Sequence, residues 1–378
     1  MTIDEYIAGF AEEPGYLDFA QFGPMSHRAS AETTLHNELL SRARFGAMAP
    51  LPGYDLQARQ ALSSITAFAP EQIVLQQNGS LALMSVMFGL TGGVLISPDE
   101  FPSATFAVAR ASAATGRVYP VWAATEGEAM RPEHIRAGLV DGVSAVMISL
   151  VHYRTGYRSN LAEIREAIGD RLLIVNASQG FGVVDEDFAA ADVVVSNGFK
   201  WLRSGHDTGF LAFSDRALSR IKPVLGSFAG SDSDLPLSGE PGVIEDTGTA
   251  ADFRNGPVNP VAHARLAAVV AELAEVGVAE VERVIAERVD ELLALADQFQ
   301  VPVASPRARE QRSGIVLLKP EPEELSSLYA ALHNYGITVT LMRDAVRLSV
   351  HASTTQETLE LLRLAFTSFA STRAASAK

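Results

Sequence analysis

Cysteine is absent from all 378 residues. Disulfides, cysteine-ligated metals, thiol redox chemistry and cysteine nucleophiles are therefore excluded. Lysine is scarce: only Lys200, Lys222, Lys319 and Lys378 could support covalent chemistry on an amine. Thirty basic residues face 45 acidic ones, a net charge of −15, which argues against nucleic acid or an anionic membrane as partner. No apolar run approaches the ~20 residues of a membrane span. The opening Met1-Thr2-Ile3-Asp4-Glu5 has no basic stretch followed by an apolar one, so no signal peptide is read and a cytoplasmic enzyme is expected. The eight histidines show no metal-ligand spacing, so no metal is expected. Thr91-Gly92-Gly93 opens no Gly-x-Gly-x-x-Gly, and a dinucleotide site has no support.

What is present is an ordinary globular balance, 47% apolar and 20% charged, with length for two domains. Short Val/Ile/Leu runs at 72–75, 94–97, 117–120, 145–151, 172–176, 193–197 and 209–213 alternate with helical windows at 55–68, 80–90, 132–139 and 161–168. Successive apolar positions mark strands covered on both faces, so the spacing predicts an α/β fold with a mostly parallel sheet between helices. Residues 226–259 turn to Gly, Ser, Asp and Pro and read as a long connection. A helical stretch at 260–299, interrupted near Gly277, follows. Then come a strand at 315–318, a helix at 323–335, strands at 338–342 and 346–350, and a helix at 355–369. These compose a small α+β domain, and the Ala/Ser-rich tail 370–378 is expected to fray. We divide the chain into an N-terminal arm (1–15), a large domain (16–250) and a small C-terminal domain (251–378).

The sharpest local feature is Asp192-Val193-Val194-Val195-Ser196-Asn197-Gly198-Phe199-Lys200-Trp201. A buried strand ends in a polar turn and presents a lysine between aromatic residues. Desolvation there would lower the amine's pKa and make it a nucleophile. A lysine at a strand end can equally reach solvent. A second strand ends in Asn176-Ala177-Ser178-Gln179-Gly180-Phe181-Gly182. Ligands of open α/β sheets sit beyond such strand ends, so Asn176, Gln179 and Lys200 could share a crevice; ordinary turn chemistry is the other reading of the two amides.

These segments, with Thr208-Gly209-Phe210-Leu211 after them, resemble in order the motifs of the class V aminotransferase family of pyridoxal-phosphate enzymes. That group contains cysteine desulfurases, kynureninases and C–S lyases. Tyr16-Leu17-Asp18-Phe19-Ala20 resembles its opening, Gln77-Asn78-Gly79-Ser80 its phosphate-binding turn, and Ala345-Val346-Arg347-Leu348-Ser349-Val350-His351 its small-domain strand. The resemblance implies a fold-type-I transferase, pyridoxal 5'-phosphate as cofactor, a small amino-acid substrate and a homodimer. It implies that Lys200 holds the cofactor as a Schiff base and moves the Cα proton. Gly79 and Ser80 would bind the phosphate, Phe101 would stack on the ring, and Gln179 would meet its phenolic oxygen. Asn176 would lie opposite the ring nitrogen, and Asn197 near the phosphate. Arg347 would grip a substrate carboxylate, with Tyr153 and His152, or Arg154, near the substrate.

The chain departs from the pattern in four places. Asn176 replaces an aspartate, so the ring becomes a weaker electron sink; Asn197 and Phe199 replace a serine and a histidine. Gly256-Pro257 stands where a partner subunit's Gly-Thr would touch the phosphate, with Thr247 or Thr249 as possible substitutes. The absence of cysteine removes the sulfur acceptor of a desulfurase. The expected function is a PLP-dependent enzyme acting on an amino acid or amine through a Lys200 Schiff base, slightly favouring β-elimination of the C–S lyase kind. Amino transfer to a keto acid is the alternative, and a degraded homologue that only binds is a third reading.

Overall fold

The computed structural model describes residues 1–127, 129–230, 246–257 and 259–376. The chain opens with α1 (Ile3–Ile7), α2 (His27–Arg42) and α3 (Gly53–Thr66). β1 (Ile73–Gln76), α4 (Gly79–Gly89), β2 (Gly92–Ile96), α5 (Pro102–Thr115) and β3 (Val118–Trp122) follow. Next are α6 (Pro132–Gly138), β4 (Val143–Ser149), α7 (Leu161–Ile168), β5 (Leu172–Asn176), β6 (Val193–Asn197), β7 (Gly209–Phe213) and α8 (Asp215–Arg220). The last third holds α9 (Pro260–Val276), α10 (Val278–Gln298), β8 (Ile315–Leu318), α11 (Leu325–Asn334), β9 (Thr340–Leu341), β10 (Val346–Ser349) and α12 (Gln356–Ser376).

β1 to β7 form one sheet in the order β1-β7-β6-β5-β4-β2-β3, and β8-β10-β9 form a second, antiparallel one. In the large sheet only β7 runs antiparallel to its neighbours, β1 and β6. Its central strands β5 and β6 are apolar up to their polar C-terminal ends because both faces are covered. Val193 and Val195 pack on one side with Val86 and Met87 of α4, while Val194 packs on the other with Val175 and Phe210. The parallel register aligns Ser149 with Asn176, and the antiparallel β7 sets Gly209 beside Asn197 and Gln76. Three polar strand termini, Ser149, Asn176 and Asn197, therefore open on one crevice.

Several expectations need correction. α2 and α5 were not read from the sequence: α2 is largely polar, and α5 is rich in Ala and Ser, so neither has a clear apolar stripe. The stretch 260–299 is interrupted at Gly277 as expected, giving two helices, the φ of 85° at Gly277 ending the first. α9 then packs along α2 and α3 beside the large sheet. The strand expected at 338–342 shrinks to Thr340–Leu341. The tail does not fray at 370: α12 continues to Ser376, carried by helix-forming alanines. Of the connection 226–259, residues 231–245 and 258 lie outside the described residues. The remainder includes a short turn at Ala250–Phe253 that buries Phe253 against Phe213. Among the described residues no helix is long and apolar enough to cross a membrane, and no group of three or more acidic or histidine side chains could hold a metal.

Candidate active site

The crevice is a cavity of about 780 Å³, bordered by Gly79, Ser80, Phe101, Tyr153, Asn176, Gln179, Asn197 and Lys200. Eight of the ten residues singled out from the sequence thus meet in one place. They come from the termini of β5 and β6, the start of α4, the start of α5 and the turns after β4, β5 and β6.

Lys200 is held there by its backbone surroundings. The Phe199 carbonyl accepts from Gly23 N–H (2.9 Å), and the Lys200 carbonyl accepts from Arg203 N–H (3.1 Å). A Cβ on Gly23 would lie 1.9 Å from the Lys200 carbonyl oxygen, so only glycine lets the N-terminal segment come this close. Lys200 is 9% exposed, and its Nζ lies 5.3 Å from the Phe101 ring centre and 5.8 Å from that of Phe199. Burial, helped by the Arg347 charge and opposed by Asp18, lowers its pKa from 10.5 to about 8. The amine is thus partly unprotonated near neutrality.

The neighbouring Trp201 is buried, and its indole N–H donates to Gln179 Oε1 (2.8 Å). Gln179 Nε2 donates to the Ala20 carbonyl (2.9 Å). The amide is therefore fixed, with its second N–H proton left for a ligand. Asn176 Oδ1 accepts from Ser178 N–H (3.2 Å), which leaves its NH₂ as the group to offer a ligand. No carboxylate borders the cavity among the described residues. The nearby Glu100 carboxylate is taken up by Ser149, whose N–H (2.8 Å) and hydroxyl (2.5 Å) both donate to it.

At the other end of the cavity, Asn78 caps α4 by accepting from Leu81 N–H (3.0 Å). The N–H groups of Gly79 and Ser80 remain at the helix start. A Cβ on Gly79 would meet Ser178 Oγ at 3.3 Å and Asn197 Nδ2 at 3.7 Å. Asn197 is buried, and its Oδ1 has no hydrogen-bond partner. Phe101 lies edge-on to Tyr153 at 5.4 Å.

Two expectations do not hold as stated. His152 is turned off the cavity wall: its Nδ1 pairs with Thr155 Oγ1 (2.9 Å) and its Nε2 with the Asp99 carbonyl (3.2 Å), so backbone folding has claimed both nitrogens. Arg347 is buried behind the wall, donating to the Tyr153 carbonyl (2.9 Å) and Thr340 Oγ1 (3.0 Å), with Asp18 at 3.6 Å. Its charge reaches Lys200, but its guanidinium does not border the cavity. Burial raises the Asp18 carboxyl above its ordinary pKa against the opposing pull of Thr340 and Arg347. Arg154 is likewise engaged, by Asp344 (2.5 Å). Thr247 and Thr249 bond each other and the Asp252 loop instead of bordering this cavity. Sequence reasoning passed over Gln21, Ser149, Ser178 and His206, which do border it. For Ser178 the signal was its place in the turn after β5; His206 lies in a loop with no periodic pattern.

The match to known proteins now has its setting. The model of the family described as aminotransferase class V matches residues 56–369. The chain belongs to the class V aminotransferase family. Its members work with pyridoxal 5'-phosphate, and that is the cofactor of this chain. No curated protein sequence matches the chain. Among solved structures, the cystine C–S lyase C-DES, in complex with its product cysteine persulfide, superposes with a TM-score of 0.82 at 21% identity, covering 93% of this chain and 97% of that one. A cysteine desulfurase from Thermococcus onnurineus NA1 gives 0.78 at 18% identity, covering 93% of each chain. The cysteine desulfurase CsdA from Escherichia coli gives 0.80 at 15%, covering 100% and 99%.

The class V cofactor suits what the cavity holds. An amine of lowered pKa stands at one end, and a helix start with the Asn197 Nδ2 donor beside it stands at the other. An aromatic face lies between them.

Proposed function

We propose that the protein is a pyridoxal-phosphate-dependent lyase that cleaves a carbon–sulfur bond of a cysteine-like amino acid by β-elimination, with Lys200 as the residue that carries the cofactor. The observation that carries this reading is the cavity floor, where Asn176 presents an amide and no carboxylate borders the site among the described residues. Bound in such a site, the cofactor contributes an aldehyde that condenses with amines and a ring that draws electrons from the adjoining carbon. A neutral amide leaves that ring a modest electron sink. Expelling a good leaving group from Cβ needs less of such a sink than carrying an amino group through both halves of a transfer.

The chain's own residues then divide the work. Lys200 Nζ, partly unprotonated near neutrality, takes the Cα proton and returns a proton. Gly79 and Ser80 N–H groups, Ser178 and Asn197 hold the phosphate, Phe101 covers the ring and Gln179 donates to its oxygen. Tyr153 flanks the substrate side; Arg347, whose Nε has no partner, supports the site through its charge. The C–S bond breaks, the thiol leaves with a proton, and the three-carbon remainder takes up water to give pyruvate and ammonia. With no cysteine in the chain, sulfur cannot be stored on a protein thiol, which supports a lyase over a desulfurase. A homodimer fits the exposure of Phe45 and Met48 in the segment between α2 and α3.

Pyruvate release from S-substituted cysteines, against amino transfer from the same compounds to a keto acid, tests the reading. Transfer outrunning pyruvate release would overturn it. Asn176→Asp places a charge where the amide stands, and amino transfer is expected to rise about tenfold relative to pyruvate release. An unchanged ratio would show that Asn176 does not set the reaction.

A further inference from the structure

The side-chain amide of Gln179, on the cavity wall, is held from two sides by groups of fixed polarity. An indole N–H only donates, so Trp201 Nε1 meets Oε1 (2.8 Å). A backbone carbonyl only accepts, so that of Ala20 meets Nε2 (2.9 Å). Turning the amide over would set donor against donor and acceptor against acceptor. The NH₂ edge therefore keeps one orientation, and what that edge offers a ligand is a proton.

Both grips trace back to the second sheet. Ala20 N–H donates to Ser349 Oγ of β10 (2.9 Å), and Ser349 N–H donates to the Leu17 carbonyl (2.7 Å). The Trp201 indole is 2% exposed and stacks with Phe19 at 6.4 Å and 27°. Its far edge rests on Gly314, the residue before β8. A Cβ on Gly314 would lie 2.9 Å from Cη2 and 3.0 Å from Cζ3 of the indole, so the glycine makes the room. The Gly314 carbonyl accepts from Val350 N–H (2.9 Å), which follows β10. A ring that merely filled this core would need no N–H, since a buried donor is costly until it finds an acceptor. The acceptor it finds belongs to the cavity wall.

We infer that Trp201 is a positioning residue: acting through Gln179, it holds the amide so that an N–H faces the oxygen on the cofactor's ring, and the second sheet holds Trp201. The inference rests on the reading above that Gln179 donates to that oxygen. A donor there steadies the oxygen's negative form, so the bound cofactor gives up its proton more readily. Loss of the donor raises the pH at which it does so. The other titratable groups about the cavity are Lys200, His206 and Tyr153, with Arg347, Asp18 and Glu100 behind the wall. His351, which stacks on Phe19, is kept neutral by burial. These groups are common to every variant below, so differences between variants isolate the amide.

The experiment titrates the near-visible absorbance of the full-length holoenzyme with pH. Gln179→Leu, which removes the donor, is expected to raise the midpoint by about one unit. Trp201→Phe, which keeps a ring and loses the N–H, is expected to raise it by about half a unit. In the double variant Trp201→Phe should add nothing to Gln179→Leu, because the effect passes through the amide. Gly314→Ala, which presses on the indole from the sheet, should move the midpoint the same way, and only where Gln179 is present. A purely structural tryptophan would lower the urea midpoint of Trp201→Phe and leave the absorbance titration unmoved. An unmoved Trp201→Phe beside a shifted Gln179→Leu overturns the inference and leaves Gln179 at the oxygen. An equal shift from Trp201→Phe with and without Gln179 also overturns it. An unmoved Gln179→Leu overturns the placement of Gln179 itself, and the inference with it. No shift in a folded Gly314→Ala overturns the role given to the sheet. A Trp201→Phe that fails to fold leaves Gly314→Ala to decide by the same comparison.

Discussion

Lys200→Ala is expected to release pyridoxal 5'-phosphate on gel filtration and to lower turnover about 10³-fold or more, because under the proposed function one amine would serve as both tether and base. Borohydride treatment of the wild-type holoenzyme should place the pyridoxyl label on the peptide containing Lys200, and the variant should take up none there. A label on Lys222 or Lys319 would move the site elsewhere. In the cofactor-free protein, labelling of Lys200 by trinitrobenzenesulfonate should rise through pH about 8, the value to which burial lowers this amine. The same shift has a consequence for stability. Between about 8 and the ordinary 10.5 the unfolded chain binds a proton that the folded chain does not, so stability rises with pH across that window. Below about 8 the folded chain must hold a buried cation. Lys200→Met removes that charge, and the cofactor-free variant is expected to be about 2 kcal/mol more stable at pH 7. Its urea midpoint should also lack the rise between pH 8 and 10.5 seen in wild type. Loss of activity with a gain in stability is the signature of a residue kept for chemistry.

The second large effect concerns Glu12 and Arg203. Arg203 has no exposed side chain and adopts φ 57° just after the lysine. Its guanidinium donates to Glu12 (2.5 and 3.1 Å), the Pro24 carbonyl (2.5 Å) and Ser353 Oγ (2.8 Å), and it lies 4.0 Å from the Phe10 ring centre. Glu12→Gln leaves a buried cation without its counter-charge, and a loss of about 3–5 kcal/mol in urea unfolding is expected. Arg203→Met combined with Glu12→Leu removes both charges and should recover at least half of that loss, since the pair must be desolvated to form. A double variant as weak as Glu12→Gln would mean that packing, not charge, governs this contact. The weakened single variant should also bind cofactor less tightly, because Arg203 N–H bonds the Lys200 carbonyl.

How much of this could be read in advance divides along physical lines. β5, β6 and β7 were legible to the residue, because a strand buried on both faces is a continuous apolar run and has polar residues only where it ends. Asn176, Asn197 and Lys200 were legible for the same reason: the ends of neighbouring strands meet. Gly79 and Ser80 were legible as a turn entering a helix. Arg347 shows the limit. Its position on β10 was plain, but its direction is set by Asp18 and Thr340, contributed by segments that periodicity cannot pair. His152 faced the same difficulty, since both ring nitrogens are used by its own turn and by Asp99. His206 was invisible because it depends on how a loop closes over Phe199. α5 was missed because alanine and serine carry too little contrast to mark a face.

The N-terminal segment adds a consequence of a different kind. Leu17 N–H donates to the Thr338 carbonyl, and Ser349 N–H donates to the Leu17 carbonyl, so residues emerging early lie beside β9 and β10. Glu12 waits for Ser353, and Asp18 for Thr340 and Arg347. A ribosome must therefore have polymerised past position 353 before the pocket's lysine acquires its final neighbours. Until those stretches meet, the Arg347 charge that adds to burial in lowering this amine's pKa is not in place beside it. Stalled or prematurely terminated chains would carry every residue of the vitamin site and still fail to seize the vitamin.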